Sequence, residues 1–232
     1  QALAAFAEVP DTNTTLQERA ETFEMLSAAL HDMGRYDEAE TASRHSLSLY
    51  SRAVPDPDVK RLRIITGLAI AIQAQGRLTE AQDLFQEGIA QSRILGEAGA
   101  AEGAAMRNYR GYILYKRGYY KESLAEVTAA LATNRRLLPG DSMDLVTSLN
   151  NVGGMNLEFG NLDVAEVHIA ESKEMLERIF QGEDNPAITR AMFHLARIAL
   201  ARQDTAAAVA GFETAYEQSI RQLGPDNPSS WR

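Results

Sequence analysis

Cysteine is absent from the 232 residues of the chain. The protein therefore has no disulfide bond and no metal site built on thiolates. Long apolar runs are missing too, since the longest one, residues 64–72, falls far short of the roughly 20 residues that span a bilayer. Basic residues are outnumbered, with 23 Lys and Arg against 32 Asp and Glu, which gives a net charge of −9. This balance argues against binding to a phosphate backbone, so we expect no nucleic-acid partner. From the shortness of the apolar runs we expect no membrane span.

Sequence motifs of catalysis and metal binding are also missing. The glycines at 96, 99 and 103 are not followed by the GK[ST] of a phosphate-binding loop. No nucleophile lies beside a base in a recognisable motif. The histidines form no HExxH and no other close pair of ligands; they are His31, His45, His168 and His194. We therefore expect a protein that is not an enzyme and that has no cofactor and no metal. We also expect the protein to be cytoplasmic.

A regular repeat runs through the chain. Glycines at 34, 76, 118 and 160 are separated by equal steps of 42, and each begins a similar stretch; the fifth stretch begins with Gln203 after a step of 43. The stretches read GRYDEAE, GRLTEAQ, GYYKESL, GNLDVAE and QDTAAA. Because glycine makes up about 7% of an average chain, three further glycines at a fixed spacing arise by chance with a probability on the order of 10⁻³ or below. The repeat therefore decides the fold.

Each repeat predicts a pair of helices joined at the glycine. Glycine adopts a left-handed conformation without a Cβ penalty, so it ends one helix and lets the chain reverse. In the first repeat, Thr15 and Glu18 have the spacing of a capping box and predict a helix from there to Met33. The second helix is expected from Tyr36 to Ala53. A small residue five positions after the turn lets the two helices approach closely; these residues are Ala39, Ala81, Ser123, Ala165 and Ala208.

Polar joints separate the helix pairs and set the predicted boundaries. The pairs are expected at 14–53, 58–95, 100–137, 142–181 and 186–223, all in one array over residues 1–232. Asn185 should cap the last pair, with Pro186 in its first turn. The glycine-rich joint at residues 96–103 is expected to be the loosest. Residues 1–10 suggest the tail of a preceding helix and residues 224–232 the start of a further repeat. We therefore expect a segment cut at both ends, with possible self-association through those ends.

The turn motif resembles that of the tetratricopeptide repeat. Its usual period is about 34 residues, and HEAT and armadillo repeats run about 40–47, but the sequences after the glycines favour the tetratricopeptide type. The stretch LNNVG at residues 149–153 and the joints GEDNP and GPDNP resemble the 42-residue form found in kinesin light chains and bacterial signalling proteins. The resemblance implies an all-α fold, a right-handed superhelix (α-solenoid) of about five antiparallel helix pairs. Arg110 and Asn156 depart from it, since they occupy positions that are normally apolar.

The resemblance also implies a binding surface. In this family the first helices of the pairs line a concave groove, at positions 13, 10, 9, 6 and 3 before the turn glycine. Here the resemblance assigns Arg63; Asn108, Tyr109, Tyr112 and Tyr115; Asn150 and Asn151; and Arg190, His194 and Arg197 to the groove. Asparagine amides pair with the backbone of an extended peptide, and tyrosine and arginine concentrate binding energy. The tyrosines could instead only pack between repeats.

The expected function is therefore a non-catalytic scaffold for protein–protein interaction. Its ligand would be a peptide or a segment of a partner protein held in the groove, and the sequence does not identify that partner. The alternative is a regulatory or oligomerising segment of a larger bacterial signalling kinase or transcription regulator, in which the array contacts its own chain or another copy.

Overall fold

The chain is all-α, as the sequence predicts. The computed structural model describes residues 11–224, which contain ten α-helices, one short 3₁₀ helix at Gly96–Gly99 and no strand. The helices are α1 Asn13–Asp32, α2 Tyr36–Ala53, α3 Val59–Ala74, α4 Leu78–Ile94, α5 Ala100–Lys116, α6 Tyr120–Leu137, α7 Met143–Glu158, α8 Leu162–Ile179, α9 Pro186–Ala201 and α10 Thr205–Leu223. None of these helices has the length and apolar character needed to cross a bilayer.

The helices belong to two compact units, residues 1–119 and residues 120–232. Unit 1 contains α1 to α5 and unit 2 contains α6 to α10. The predicted helix tail at residues 1–10 lies outside the described residues, and so does all but Gly224 of the predicted further repeat at 224–232. Association through the ends, and the single array over the whole chain, stay predictions.

In unit 1, each helix packs against the next one in the chain. The central helix, α3, contributes Leu62, Leu68 and Ile72 to the core, and α4 contributes Phe85 and Ile89; all five are at most 1% exposed. Burying a side chain of this kind contributes about 1.5–3 kcal/mol to folding. The stack of helices therefore forms because each one places an apolar face against both neighbours.

In unit 2, α7 packs on α8, α8 on α9, and α9 on α10. Its core includes Leu157, Ala165, Ile169, Ala191 and Ile198, which come from α7, α8 and α9. Asn156, a departure noted in the sequence, is buried there. Its amide donates to the carbonyl of Val152 at 2.8 Å and its oxygen accepts from Asn161 at 3.1 Å. The amide is tolerated in the core because its donor and acceptor are both satisfied.

The repeated glycines form the turns between paired helices. We call these residues and Gln203 the turn positions. Their φ angles are 73° at Gly34, 81° at Gly76, 83° at Gly118 and 76° at Gly160, and the fifth turn holds Gln203 at 64°. The residue after each turn position donates its N–H to a carbonyl in the last turn of the preceding helix, as Asn161 does to Asn156 at 2.9 Å. Gln203 therefore adopts the glycine conformation without being glycine.

The small residues after the turn are buried as predicted. Ala39, Ala81, Ser123 and Ala165 have no exposed surface and Ala208 has 2%. The predicted bounds of α2, from Tyr36 to Ala53, and the predicted cap of α9 are also confirmed, since the Asn185 side chain accepts from the Ala187 N–H at 2.9 Å.

Two local predictions were wrong. The capping box of α1 lies three residues earlier than expected. There the Thr12 hydroxyl accepts from the Thr15 N–H at 3.2 Å and the Thr15 hydroxyl accepts from the Thr12 N–H at 2.9 Å. The joint at 96–103 is not loose but tightly packed. A Cβ at Gly99 would lie 2.6 Å from the Ser92 carbonyl oxygen, and one at Gly103 would lie 2.4 Å from the Ser92 hydroxyl. At these two positions glycine allows the backbone to lie close to Ser92.

Ion pairs close each of the last two repeats. The Arg178 guanidinium binds both carboxylate oxygens of Asp141, at 2.8 and 2.9 Å, and Arg221 binds Asp184 at 3.0 Å. In both repeats the arginine lies near the end of the second helix, and the aspartate lies in the joint that precedes the first helix. The two arginines are also equally far from their turn positions, Gly160 and Gln203, as are the two aspartates. The pair therefore joins the end of a repeat to its beginning. We call these two pairs the clasps.

Candidate functional site

Unit 1 contains a pocket of about 350 Å³ between the first helices of three successive repeats. Its wall is formed by Glu24, Ala28, His31 and Asp32 of α1, by Arg63, Ile64, Gly67 and Ile70 of α3, and by Tyr109 of α5. Three serines, Ser27, Ser43 and Ser46, complete the lining. Ser27 and Ser43 share a hydrogen bond of 2.7 Å, and the Ser46 hydroxyl donates to the Ala20 carbonyl at 2.7 Å. The serine hydroxyls are thus already satisfied within the protein.

Two of the predicted groove residues, Arg63 and Tyr109, lie in this pocket. Gly67 and Ile70, nine and six places before Gly76, were not predicted, and neither were three residues of the first repeat: Glu24, Ala28 and His31 lie ten, six and three places before Gly34. These are the same offsets that the family resemblance provides, so counting from the first turn would have found all three.

The cations beside the pocket are matched by carboxylates. The Arg63 guanidinium donates to Glu102 at 2.7 Å, and Lys60 lies 2.9 Å from Glu24 and 3.4 Å from Glu21. The hydrogen bond that Arg63 donates to Glu102 raises the pKa of Arg63, and the one that Lys60 donates to Glu24 raises the pKa of Lys60. These ion pairs are partly open to water, so each contributes up to about 1 kcal/mol. Their main effect is to leave little unpaired positive charge on this surface.

The predicted tyrosines have different surroundings. The ring of Tyr109 stacks on Phe85 with centroids 5.4 Å apart, yet Tyr109 stays 38% exposed. It therefore packs between repeats and also lines the pocket. Tyr112 is exposed, with the Lys116 ammonium 5.5 Å from its ring centroid. Tyr115 is half-buried and Asn108 is buried. A ligand would reach Tyr109 and Tyr112 most easily.

The other five predicted residues lie in unit 2, on the first helices of the fourth and fifth repeats. Asn150 and Asn151 of α7 are half-buried, and on α9 Arg190 is exposed while His194 and Arg197 are half-buried. Arg197 donates to Glu158 of α7 at 2.8 Å, which joins the two helices on this side. We call the surface formed by Asn150, Arg190, His194 and Arg197 the arginine face.

Two buried atoms of the arginine face lack a hydrogen-bond partner among residues 11–224. They are Oδ1 of Asn150 and Nδ1 of His194. An unsatisfied buried polar atom costs about 1–3 kcal/mol. A ligand that supplied the missing hydrogen bonds would recover part of that free energy on binding.

The arginine face also changes the protonation of its histidine. Burial, followed by the positive charges of Arg197 and Arg190, lowers the pKa of His194, while Glu158 opposes the shift. The imidazole is therefore neutral near pH 7 and has one donor and one acceptor nitrogen. The positive charge on this face at that pH comes from the two guanidinium groups.

The remaining histidines do not form a metal site. His45 and His168 each place Nδ1 within 2.9 Å of the carbonyl four residues earlier on their own helix. His31 lies 3.8 Å from Asp32 at the edge of the unit 1 pocket. Within the described part of the chain, no three His, Cys, Asp or Glu residues are grouped so that they could hold a metal ion.

Comparisons with known proteins agree with the repeat pattern. The sequence profile of the tetratricopeptide repeat family matches residues 18–94. BtubC (BKLC) from P. vanneervenii has a TM-score of 0.78 at 19% identity, over 93% of this chain and 85% of that chain. A putative kinesin light chain of Podosopora anserina with nearly identical TPR-like repeats has a TM-score of 0.70 at 16% identity, over 88% and 96%.

A third structure was solved with a peptide. It is the Rap conjugation gene regulator of the plasmid pLS20 in complex with the Phr* peptide, with a TM-score of 0.67 at 13% identity, over 93% of this chain and 56% of that chain. No curated protein sequence matches the chain significantly. At these identities, the structural likenesses establish the fold alone.

Proposed function

We propose that the chain is a non-catalytic scaffold of tetratricopeptide repeats. It binds an extended segment of a partner protein on the first helices of its repeats. The observation that carries this proposal is the unit 1 pocket, to which α1, α3 and α5 all contribute. Three first helices meeting at one concave surface provide a site longer than a single repeat, as an extended segment requires.

The chemistry of the pocket supports a peptide as the ligand. Tyr109 offers an aromatic surface, Ile70 and Ala28 offer apolar contact, and Glu24, Asp32 and Arg63 offer charges at the rim. The volume of about 350 Å³ is near the lower end of small-ligand pockets, and it suits one or two side chains of a longer segment. The pLS20 regulator, solved with its Phr* peptide, supports the proposal by analogy of fold.

A pocket-filling variant tests this proposal. A side chain at Gly67 would extend into the pocket, because the nearest atom to a Cβ there is the Ser43 hydroxyl at 4.0 Å. Gly67→Leu should therefore weaken binding at least roughly tenfold without disturbing the core. Gly140→Leu is the control, since Gly140 lies in an exposed joint with no atom within 4 Å of a Cβ.

Binding is measured with a library of random dodecapeptides passed over the immobilised protein. The wild type should enrich a recognisable set of sequences, the control should enrich the same set, and Gly67→Leu should lose it. Absence of enrichment by the wild type, or unchanged enrichment by Gly67→Leu, would reject binding at this pocket. Circular dichroism confirms that both variants remain helical.

The alternative function, a regulatory segment of a larger signalling protein, stays a prediction. Its support is that this chain resembles 56% of the pLS20 conjugation regulator. The coding sequence on either side of these residues would test it directly, because a kinase or DNA-binding domain in the same reading frame is required.

A further inference from the structure

In unit 1, two cations of α3 are neutralised by carboxylates on the neighbouring first helices. On α3, Lys60 and Arg63 lie sixteen and thirteen places before Gly76, and on α1, Glu21 and Glu24 lie thirteen and ten places before Gly34. Lys60 is bound to both glutamates, and Arg63 donates to Glu102 of α5, the following first helix, at 2.7 Å. Glu24 and Arg63, ten places before one turn position and thirteen before the next, line the same pocket.

Unit 2 holds residues of different charge at the same repeat positions. Arg190 occupies the repeat position on α9 that Arg63 occupies on α3, and the facing positions on α7 hold Thr147 and Asn150 in place of the two glutamates. Arg190 is exposed and has no ion-pair partner within the part of the chain that the structure describes. The second arginine, Arg197, is paired with Glu158. The arginine face therefore carries one positive charge that no carboxylate of the described residues neutralises.

Two uncharged groups of this face also lack hydrogen bonds within the described residues. Oδ1 of Asn150 accepts no hydrogen bond within the described residues, and Nδ1 of His194 makes none. An extended segment offers one backbone N–H and one C=O per residue. An acidic residue in such a segment would supply a carboxylate for the guanidinium and backbone groups for the amide and the imidazole.

From these observations we propose that the arginine face of unit 2 binds an aspartate or glutamate side chain of an extended partner segment. This inference rests on the proposed scaffold function and adds the chemistry of its partner. The Arg190 guanidinium donates two parallel hydrogen bonds to the carboxylate. Oδ1 of Asn150 accepts from a backbone N–H of the segment, and His194 uses its free ring nitrogen for a second backbone contact.

The inference is tested with dodecapeptide libraries in which one central position is fixed as Asp, Glu, Asn, Gln or Lys. All peptides are acetylated and amidated, so their termini carry no charge. The full chain should retain the Asp and Glu libraries roughly tenfold better than the Asn and Gln libraries, as expected for a charge-assisted pair that is partly exposed to water. The preference should weaken as the salt concentration rises.

Three variants assign the preference to the arginine face. Arg190→Gln should remove the preference, and Arg190→Glu should reverse it in favour of Lys. Arg178→Gln is the matched control, because Arg178 is an exposed arginine of the same unit that binds Asp141 and lies outside the arginine face. A reversal of the preferred charge cannot arise from partial unfolding, which would weaken binding of all libraries alike.

Four other outcomes of the library experiment would each contradict a specific part of the proposals. Selective retention by the wild type with equal binding of the Asp and Asn libraries would overturn this inference and leave the scaffold function standing. An acidic preference that survives in Arg190→Glu would place the site elsewhere. Enrichment only of peptides with a free carboxyl terminus, in a parallel set without amidation, would overturn the assignment to a side chain. No selective retention of any library would overturn both proposals.

Discussion

Unit 1 and unit 2 build their helix pairs on the same repeat positions but carry different charges between their first helices. In unit 1, Glu21 and Glu24 neutralise Lys60 and Glu102 neutralises Arg63. In unit 2, Asn150 occupies the repeat position of Glu24, and Arg190, at the position of Arg63, has no ion-pair partner among residues 11–224. The turn positions and the small residues five places after them are nearly invariant between the units. These positions therefore fix the fold, while the charges carried by the first helices differ between the units.

The largest effect is expected from the close packing of α7 against α8 in unit 2. In the second repeat, Ala69 lies seven residues before the turn position, and in the fourth repeat Gly153 lies there. A Cβ at Gly153 would lie 2.6 Å from Cγ1 of Ile169 and 3.3 Å from the Ala165 carbonyl oxygen. Gly153→Val should therefore lower the free energy of unfolding by about 2–3 kcal/mol through overpacking, and hydrogen exchange should accelerate in α7 and α8.

The neighbouring glycine is the control for this prediction. No atom lies within 4 Å of a Cβ at Gly154, so Gly154→Ala should leave stability unchanged or raise it by up to about 1 kcal/mol through helix propensity. Denaturant unfolding followed by circular dichroism measures both variants. Equal losses at the two glycines would show that α7 and α8 do not depend on this close approach.

The ion pairs beside the turns provide a second, smaller test. Glu40 in unit 1 accepts hydrogen bonds from Arg77 at 2.6 Å, from Gln75 at 2.9 Å and from Arg44 at 2.9 Å. Its side chain is only 12% exposed. The same repeat position in unit 2 holds Glu166, which is 47% exposed and binds Arg202. Glu40→Gln should cost about 1 kcal/mol, and Glu166→Gln should cost less because water screens that pair.

Acid should reveal the same difference. Burial alone would raise the pKa of Glu40, but the hydrogen bonds from Gln75, Arg44 and Arg77 outweigh it and hold the pKa below its ordinary value of 4.5. The folded state therefore binds the proton less readily than the unfolded state. This contribution is present above pH 4.5 and is lost as the pH falls below it. Unfolding at a series of pH values should show a smaller acid loss in Glu40→Gln, and identical acid profiles would contradict the assignment.

The fifth turn provides the smallest expected effect. Gln203 holds a φ of 64°, whereas unit 1 uses glycine at Gly34 and Gly76. Gln203→Gly relieves the cost of a left-handed side-chain residue, about 1–2 kcal/mol, but increases the freedom of the unfolded chain, worth about 0.4–1 kcal/mol. The net change should be a gain of about 0.5 kcal/mol, measured by thermal unfolding. A clear loss of stability would mean that the glutamine side chain itself stabilises the turn.

Much of the fold could be predicted because it is repeated. Four copies of the turn glycine and five of the small residue after it identify both helices of every pair. The start of α1 could not be predicted as well, because Thr12 and Thr15 are both able to cap and only the observed pairing of their hydroxyls decides between them. The tight packing of the glycines at 99 and 103 could not be predicted either, since the sequence does not show that Ser92 lies against them.

The candidate site was predictable in part for the same reason. Family offsets from the turn reach Arg63 and Tyr109 of the pocket, and the same offsets applied to the first repeat also reach Glu24 and His31. The charge pattern was not predictable from those offsets. Lys60 and Glu102 share a repeat position outside the expected set, and only the packing of successive first helices brings them beside Glu24 and Arg63.

The clasps have a consequence for how such arrays grow and can be engineered. Arg178 with Asp141, and Arg221 with Asp184, connect the last part of a repeat to its own leading joint. A gene duplication that begins just before the joint would copy both members of the pair together, whereas one that begins at the turn would separate them. We therefore expect a grafted copy of residues 141–181 to contain both members of its ion pair. The joint is therefore the better place to cut and splice such repeats.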